Sequence, residues 1–208
     1  MTSTEVELID ITPDAMKKLA QVAAVCYQVP PSEKVVKKIV KLGHLSVLEH
    51  CYATFRFKMS VACLLQLTRH RHFSFTIQSS RHTELTQAHW PGGTADEVIA
   101  GELEQYNRVY NADGPEKALY CIPKAALYEG YVTGNFRAWY EYLQKRLCLR
   151  AMYEHREFAM KVRKALDRHY PDIFDSASPQ CVICCDSSCP FVAVRLGRLT
   201  KDPEVRGD

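Results

Sequence analysis

Residues 50–60, HCYATFRFKMS, put Cys51, Ala53, Phe55 and Phe57 on one side of an extended chain and Tyr52, Thr54, Arg56 and Lys58 on the other. Strict alternation of this kind predicts a strand with one face in the core and one in water. Ser60 then stands as a helix cap before a short apolar run, Val61 to Thr68, which delivers the chain to Arg69. A half-buried strand, a short helix and a basic turn therefore follow one another without a linker.

Upstream, Thr12-Pro13-Asp14 carries the signals of a helix start, and Met16, Leu19, Ala20 and Ala23 share the face of a helix running to about Tyr27. Pro30-Pro31 breaks the chain. Ser32 caps a second helix with Val35, Val36, Ile39 and Val40 on one stripe, closed by Gly43. Downstream, Thr94 opens a helix to Tyr110, residues 128–133 are β-prone, and Asn135 caps a helical stretch from Phe136 to about Asp167 that divides near Leu149. Helices and strands in this order predict a single α+β domain over 1–208, with helices packed against an antiparallel sheet, and not a doubly wound parallel one.

The chain has 208 residues, 47% hydrophobic and 25% charged, as in an ordinary globular domain. A net charge of +3 is too small to imply a nucleic-acid or membrane surface, so anion binding has to be local. Without an export signal or an apolar run of roughly 18 residues, the expected location is the cytoplasm. Five of the nine cysteines are scattered singly, which predicts reduced thiols. Cys181, Cys184, Cys185 and Cys189 cluster in a C-terminal extension, 171–208; four thiolates can make a zinc site, but ligand pairs on separated turns and an accompanying His are missing, so no metal is expected.

Arg69-His70-Arg71 gathers cationic side chains, and Arg81 adds another after Ser74, Thr76, Gln78, Ser79 and Ser80. Guanidinium groups suit phosphate and the edges of flat heterocycles. The same residues also fit a solvated basic turn at a helix C-terminus. If the preceding helix continued through Arg71, Arg69 and Arg71 would point about 200° apart and serve different partners.

This segment, Arg-His-Arg, seven residues, then Ser79 and Arg81, resembles the signature of the flavin-dependent thymidylate synthases. His44 to His50 is similar to that family's lead-in, Gln66 stands at the usual spacing, and Asn135-Phe136-Arg137, Tyr142-Leu143 with Arg146, Glu154 and Arg156 resemble its second block, so the likeness covers about residues 10–170. The resemblance implies an obligate oligomer, a homotetramer, that methylates C5 of a uridine monophosphate. FAD would be the cofactor, with NADPH as reductant and methylenetetrahydrofolate as carbon donor. It implies that His44, Ser46, Arg69, His70, Arg71, Asn135, Arg137 and Glu141 stand on the flavin side, and that Gln66, Arg69, Gln78, Ser79, Ser80, Arg81 and Arg146 hold the nucleotide in the same pocket. Arg146 would stabilise charge on the uracil carbonyl, and Ser79 would be a binder at the reacting ring, not a nucleophile. No Cys lies between Cys63 and Cys121 to add covalently to the ring.

Ile77 stands where the family has Glu or Gln, His82 where it has Tyr, and Leu119 where it has a phosphate-binding Arg, while Glu141 and Arg150 replace Asn and His. One lost charged hydrogen bond is worth about 1.5–3 kcal/mol, or about 10-fold or more in affinity, unless Lys117 or Lys124 compensates. Three outcomes remain open: methylation of dUMP to dTMP, methylation of UMP to 5-methyl-UMP in a nucleoside-antibiotic pathway, or a flavin- or nucleotide-binding relative that no longer methylates.

Overall fold

The computed structural model describes residues 4–179 and Cys189. Four strands form one antiparallel sheet: β1 (Glu5–Ile11), β2 (Tyr52–Ser60), β3 (Phe73–Ile77) and β4 (Leu127–Asn135), in the order β1-β2-β4-β3. The alternation in 50–60 is realised, with Cys51, Ala53, Phe55, Phe57 and Met59 buried. On the opposite face Thr54 meets Thr133 through their hydroxyls at 2.9 Å, and Arg56 reaches Glu129 at 2.6 Å.

Helices cover the apolar face. Leu19 of α1 (Ala15–Tyr27), Val36 and Val40 of α2 (Glu33–Lys41), and Cys63 and Leu67 of α3 (Val61–Leu67) enter the core. So do Trp139 and Tyr142 of α6 (Phe136–Arg146), Phe158, Val162 and Leu166 of α7 (Tyr153–His169), and Phe174 of α8 (Pro171–Phe174). A second, smaller cluster of Leu85, Tyr106, Ala118 and Ala126 lies under α4 (Thr94–Asp113) and α5 (Pro115–Ala118). Among the described residues no helix is long and apolar enough to cross a membrane.

Ser60 and Asn135 cap α3 and α6 as expected, accepting from the Cys63 and Ala138 amides. Thr12 does not cap α1; its hydroxyl accepts the Tyr52 amide at 2.9 Å and ties β1 to β2, while Asp14 opens the helix in the left-handed region. Two strands go beyond what the sequence pattern predicts. β1 is largely solvent-facing, with a register shift between Leu8 and Asp10, so its pattern carries little apolar signal. In β3, Phe73, Phe75 and Ile77 do alternate, but its polar members belong to the basic segment and mask the alternation. α3 also ends at Leu67, so Arg69 and Arg71 are not separated by a helical turn; they occupy the tight connection into β3.

Close approach shapes the β3–β4 edge. Gly134 pairs with Phe73, and a Cβ there would lie 2.2 Å from the Phe73 ring. The bare backbone lets that ring sit against the strand, 4.4 Å from the Trp139 ring.

Candidate active site

The turn from α3 into β3 and the inner face of α6 enclose a cleft of about 380 Å³, lined by Arg69, His70, Arg71, Tyr142, Lys145 and Arg146, with Phe73 at its floor and Glu141 at its wall. Arg146, in the last turn of α6, donates from Nε to Nε2 of His70 at 2.8 Å. Burial first, then the charges of Arg146 and Lys145, lower the His70 pKa from 6.5 to about 4, so its imidazole is neutral near pH 7. With Nε2 accepting, the His70 proton belongs on Nδ1.

Behind His70 lies a polar layer of which sequence reasoning singled out Tyr142 but not His155. Tyr142 packs edge-on to His70, with centroids 4.9 Å apart, and His155 lies 5.6 Å from Tyr142 and 6.2 Å from His70. His155 is fully buried, and neither of its ring nitrogens nor the Tyr142 hydroxyl has a hydrogen-bond partner. Burial, Arg146 and His70 together hold the His155 pKa down to about 3. Position 155 reads in sequence as one more residue of an amphipathic helix; only the fold shows an imidazole buried behind Tyr142 and His70.

Arg137 presents a contrast. Its guanidinium is held by two carboxylates, Glu141 at 2.8 Å and Glu49 at 2.6 Å, and these bonds raise its pKa. Glu49 belongs to the short 3-10 helix Leu45–His50 that carries Ser46 and follows His44, both exposed, so the expected flavin-side residues of that segment meet α6 at its N-terminal end. Asn135 spends its side-chain oxygen on the α6 cap.

The expected nucleotide residues do not converge within one chain. Gln66 points from α3 to Met152, Nε2 to sulfur at 3.2 Å. Met152 lines a second, mainly apolar cavity of about 880 Å³ beside Trp90, Lys124, Tyr153 and Glu154. Gln78, Ser79, Ser80 and Arg81 lie beyond the far end of β3, and none of them lines the basic cleft. That strand alone separates them from Arg71 by roughly 13 Å, at about 3.3 Å per residue. Gln78 is tied into its own turn, donating to Thr83 at 2.9 Å. Ile77 packs toward the core. Of the two candidate replacements for an Arg at Leu119, Lys117 is paired with Asp113, whereas Lys124 lines the second cavity.

Glu154, which lines the second cavity, ties α7 to the end of β2. It is buried at 2% exposure at the start of α7 and accepts the Ser60 amide at 2.8 Å and the Ser60 hydroxyl. Arg156 donates to the Leu149 carbonyl at 3.0 Å and holds the α6–α7 connection. Cys148 lies in that connection, past Arg146 and half-buried. Of the C-terminal cysteines only Cys189 is described, half-buried; Cys181, Cys184 and Cys185 lie outside the described residues.

An antiparallel sheet with helices on its apolar face and a cation-lined cleft between the start of β3 and α6 defines an α+β protein whose cleft suits an anionic ligand. Residues 7–172 match the family model described as thymidylate synthase complementing protein, and the chain belongs to that family. It is 28% identical to the flavin-dependent thymidylate synthase of Geobacter sulfurreducens, over 93% of this chain and 94% of that one. It is 26% identical to the Clostridium tetani flavin-dependent thymidylate synthase, over 97% and 96%. Its fold is similar to that of Helicobacter pylori thymidylate synthase X, solved with FAD and dUMP, with a TM-score of 0.69 and 24% identity over 84% of this chain and 98% of that one.

The donor set suits a flavin. Arg69, Arg71, Lys145 and Arg146 place four cations around the cleft against one carboxylate, Glu141, and the volume matches a single flat ring system. Guanidinium and imidazole edges can meet both a pyrophosphate and the polar rim of an isoalloxazine.

Proposed function

We propose that this protein methylates C5 of a uridine monophosphate, dUMP to dTMP, with FAD as cofactor, NADPH as reductant and methylenetetrahydrofolate as carbon donor. The observation that carries the reading is the Arg146–His70 pair on the cleft floor: a guanidinium held by a neutral acceptor, with its charge left for a ligand. FAD, when bound, supplies the reducing hydride. Arg69, His70 and Arg71 hold it in the cleft, with Glu141, Arg137, Asn135, His44 and Ser46 along its length. Arg146 faces the uracil and stabilises the carbonyl oxygen as C5 becomes nucleophilic, with no covalent bond from the enzyme.

The split of the nucleotide residues fits sites shared between copies in a homotetramer. Gln78, Ser79, Ser80 and Arg81 of one protomer would complete a site that Gln66, Arg69 and Arg146 open in another. Lys124 stands as the cation best placed to compensate for Leu119.

The test is a parallel assay of flavin-loaded protein with dUMP and with UMP, each with methylenetetrahydrofolate and NADPH. Turnover of dUMP is expected. Turnover of UMP alone would make the product 5-methyl-UMP, and turnover of neither would remove the reading.

A further inference from the structure

Beyond β3 the chain closes into a tight turn. The Gln78 amide continues the ladder, donating to the Glu129 carbonyl at 2.9 Å. The Gln78 side chain then works in two directions: Oε1 accepts the Glu129 amide at 3.3 Å, and Nε2 donates to Oγ1 of Thr83 at 2.9 Å. The Thr83 hydroxyl donates in turn to the Ser79 carbonyl at 2.8 Å. That same carbonyl receives the amides of His82 and Thr83, each at 3.0 Å.

A hydroxyl can accept and donate at one atom, and position 83 uses both capacities. Valine has the same shape and neither capacity. The β4 backbone, Gln78, Thr83 and the Ser79 carbonyl therefore form one directed chain from the sheet to the centre of the turn. The two bonds at Thr83 are solvent-exposed, where a hydrogen bond adds little to global stability, so the chain is suited to setting the shape of the turn. The side chains of Ser79, Ser80 and Arg81, carried by that turn, make no hydrogen bond or ion pair with the described residues. Their donors are left for a ligand, and a turn already held in shape loses less freedom when the ligand arrives.

We propose that Thr83 is a positioning residue for the nucleotide: joined to Gln78, it locks the turn in the shape that presents Ser79, Ser80 and Arg81. Gln78 serves the site through this chain, since its amide oxygen and nitrogen are both engaged within the protomer. The nucleotide as occupant rests on the function proposed above; the lock on the turn does not.

The experiment compares FAD-loaded wild type with Thr83→Val, Thr83→Ser, Gln78→Leu and the double variant of Gln78→Leu with Thr83→Val. Thr83 is exposed, so the fold accommodates either replacement there. Hydrogen–deuterium exchange of the segment from Ser79 to Leu85, read by mass spectrometry, is expected to quicken about 3- to 10-fold in Thr83→Val, the worth of one hydrogen bond. Thr83→Ser, which keeps the hydroxyl, is expected to match wild type. In turnover of dUMP, or of UMP should that be the substrate, Thr83→Val is expected to raise KM by a similar factor with kcat and FAD affinity little changed. Because the two residues act through one chain, the double variant is expected to be no worse than the worse single one. Exchange unchanged in Thr83→Val, a KM equal to wild type, or single effects that multiply in the double variant would overturn the proposal. A Thr83→Ser protein as impaired as Thr83→Val would do the same. If wild type turns over neither nucleotide, the function proposed above fails, and the exchange rates alone decide whether Thr83 holds the turn.

Discussion

The Nε–H of Arg146 lies 2.8 Å from Nε2 of His70, and this single bond joins the end of α6 to the turn that begins the basic segment. Replacing Arg146 with Ala is expected to abolish methylation while FAD still binds, because Arg69 and Arg71 remain. Cys148→Ala is expected to leave methylation intact. Steady-state kinetics beside the flavin absorbance spectrum check both; equal loss in the two variants would contradict a special role for Arg146.

Acid should weaken the fold through the two neutral imidazoles. The folded-state values of His70 and His155 are lowered from 6.5 to about 4 and about 3, so the unfolded chain binds more protons between pH 6.5 and pH 3. Their contribution is therefore present in full above pH 6.5 and is lost as pH falls through that window. Thermal melts from pH 8 to pH 4 are expected to show a falling Tm, and His155→Phe should flatten the slope. An unchanged slope would mean that His155 does not stay buried and neutral.

Gly134→Ala tests the floor of the cleft. A Cβ 2.2 Å from the Phe73 ring has to expel that ring from its place beside Trp139. A loss of about 2 kcal/mol or more is expected in urea unfolding, with weaker FAD binding, because Phe73 lines the cleft. A variant as stable as wild type would show that the ring relocates freely.

Glu154→Leu is expected to cost about 2–5 kcal/mol, since it strands the Ser60 amide and hydroxyl in a buried place. Glu154→Gln should cost less, because an amide oxygen can still accept one of the two bonds. Chemical denaturation of the three proteins gives the comparison, and equal stability of the Leu and Gln variants would count against a role for these two bonds.

Glu141 lowers the positive potential of the cleft. Its pair with Arg137 is partly exposed and worth at most about 1 kcal/mol of stability. Glu141→Gln should therefore leave the melting temperature nearly unchanged while weakening FAD binding severalfold, because Glu141 stands along the flavin in the proposed site. Fluorescence titration at two ionic strengths would measure it, and tighter binding that fades as salt rises would show that Glu141 acts on the cleft only as a negative charge.

Periodicity made most of the fold legible: the alternation in 50–60, the caps at Ser60 and Asn135 and the division of the last helical stretch all appear in the structure. β1 was not, because a solvent-facing strand with charged alternate residues carries no apolar excess. The site was legible in part. Arg69, His70, Arg71 and Arg146 form one cleft, as their grouping implied, but a linear motif holds no information about which end of a strand each half occupies. Tyr142 was legible as part of the block leading to Arg146, but His155 was invisible as a polar group, since on a helix pattern it counts as an ordinary core residue until the fold shows both its nitrogens unpaired.

The placement of Arg71 and Ser79 on either side of β3 carries one more consequence. If the substrate pocket exists only where two copies meet, then assembly and ligand capture are linked by mass action. Dilution would weaken apparent nucleotide affinity with no residue changed, and saturating nucleotide would hold the oligomer together at concentrations where the empty protein falls apart.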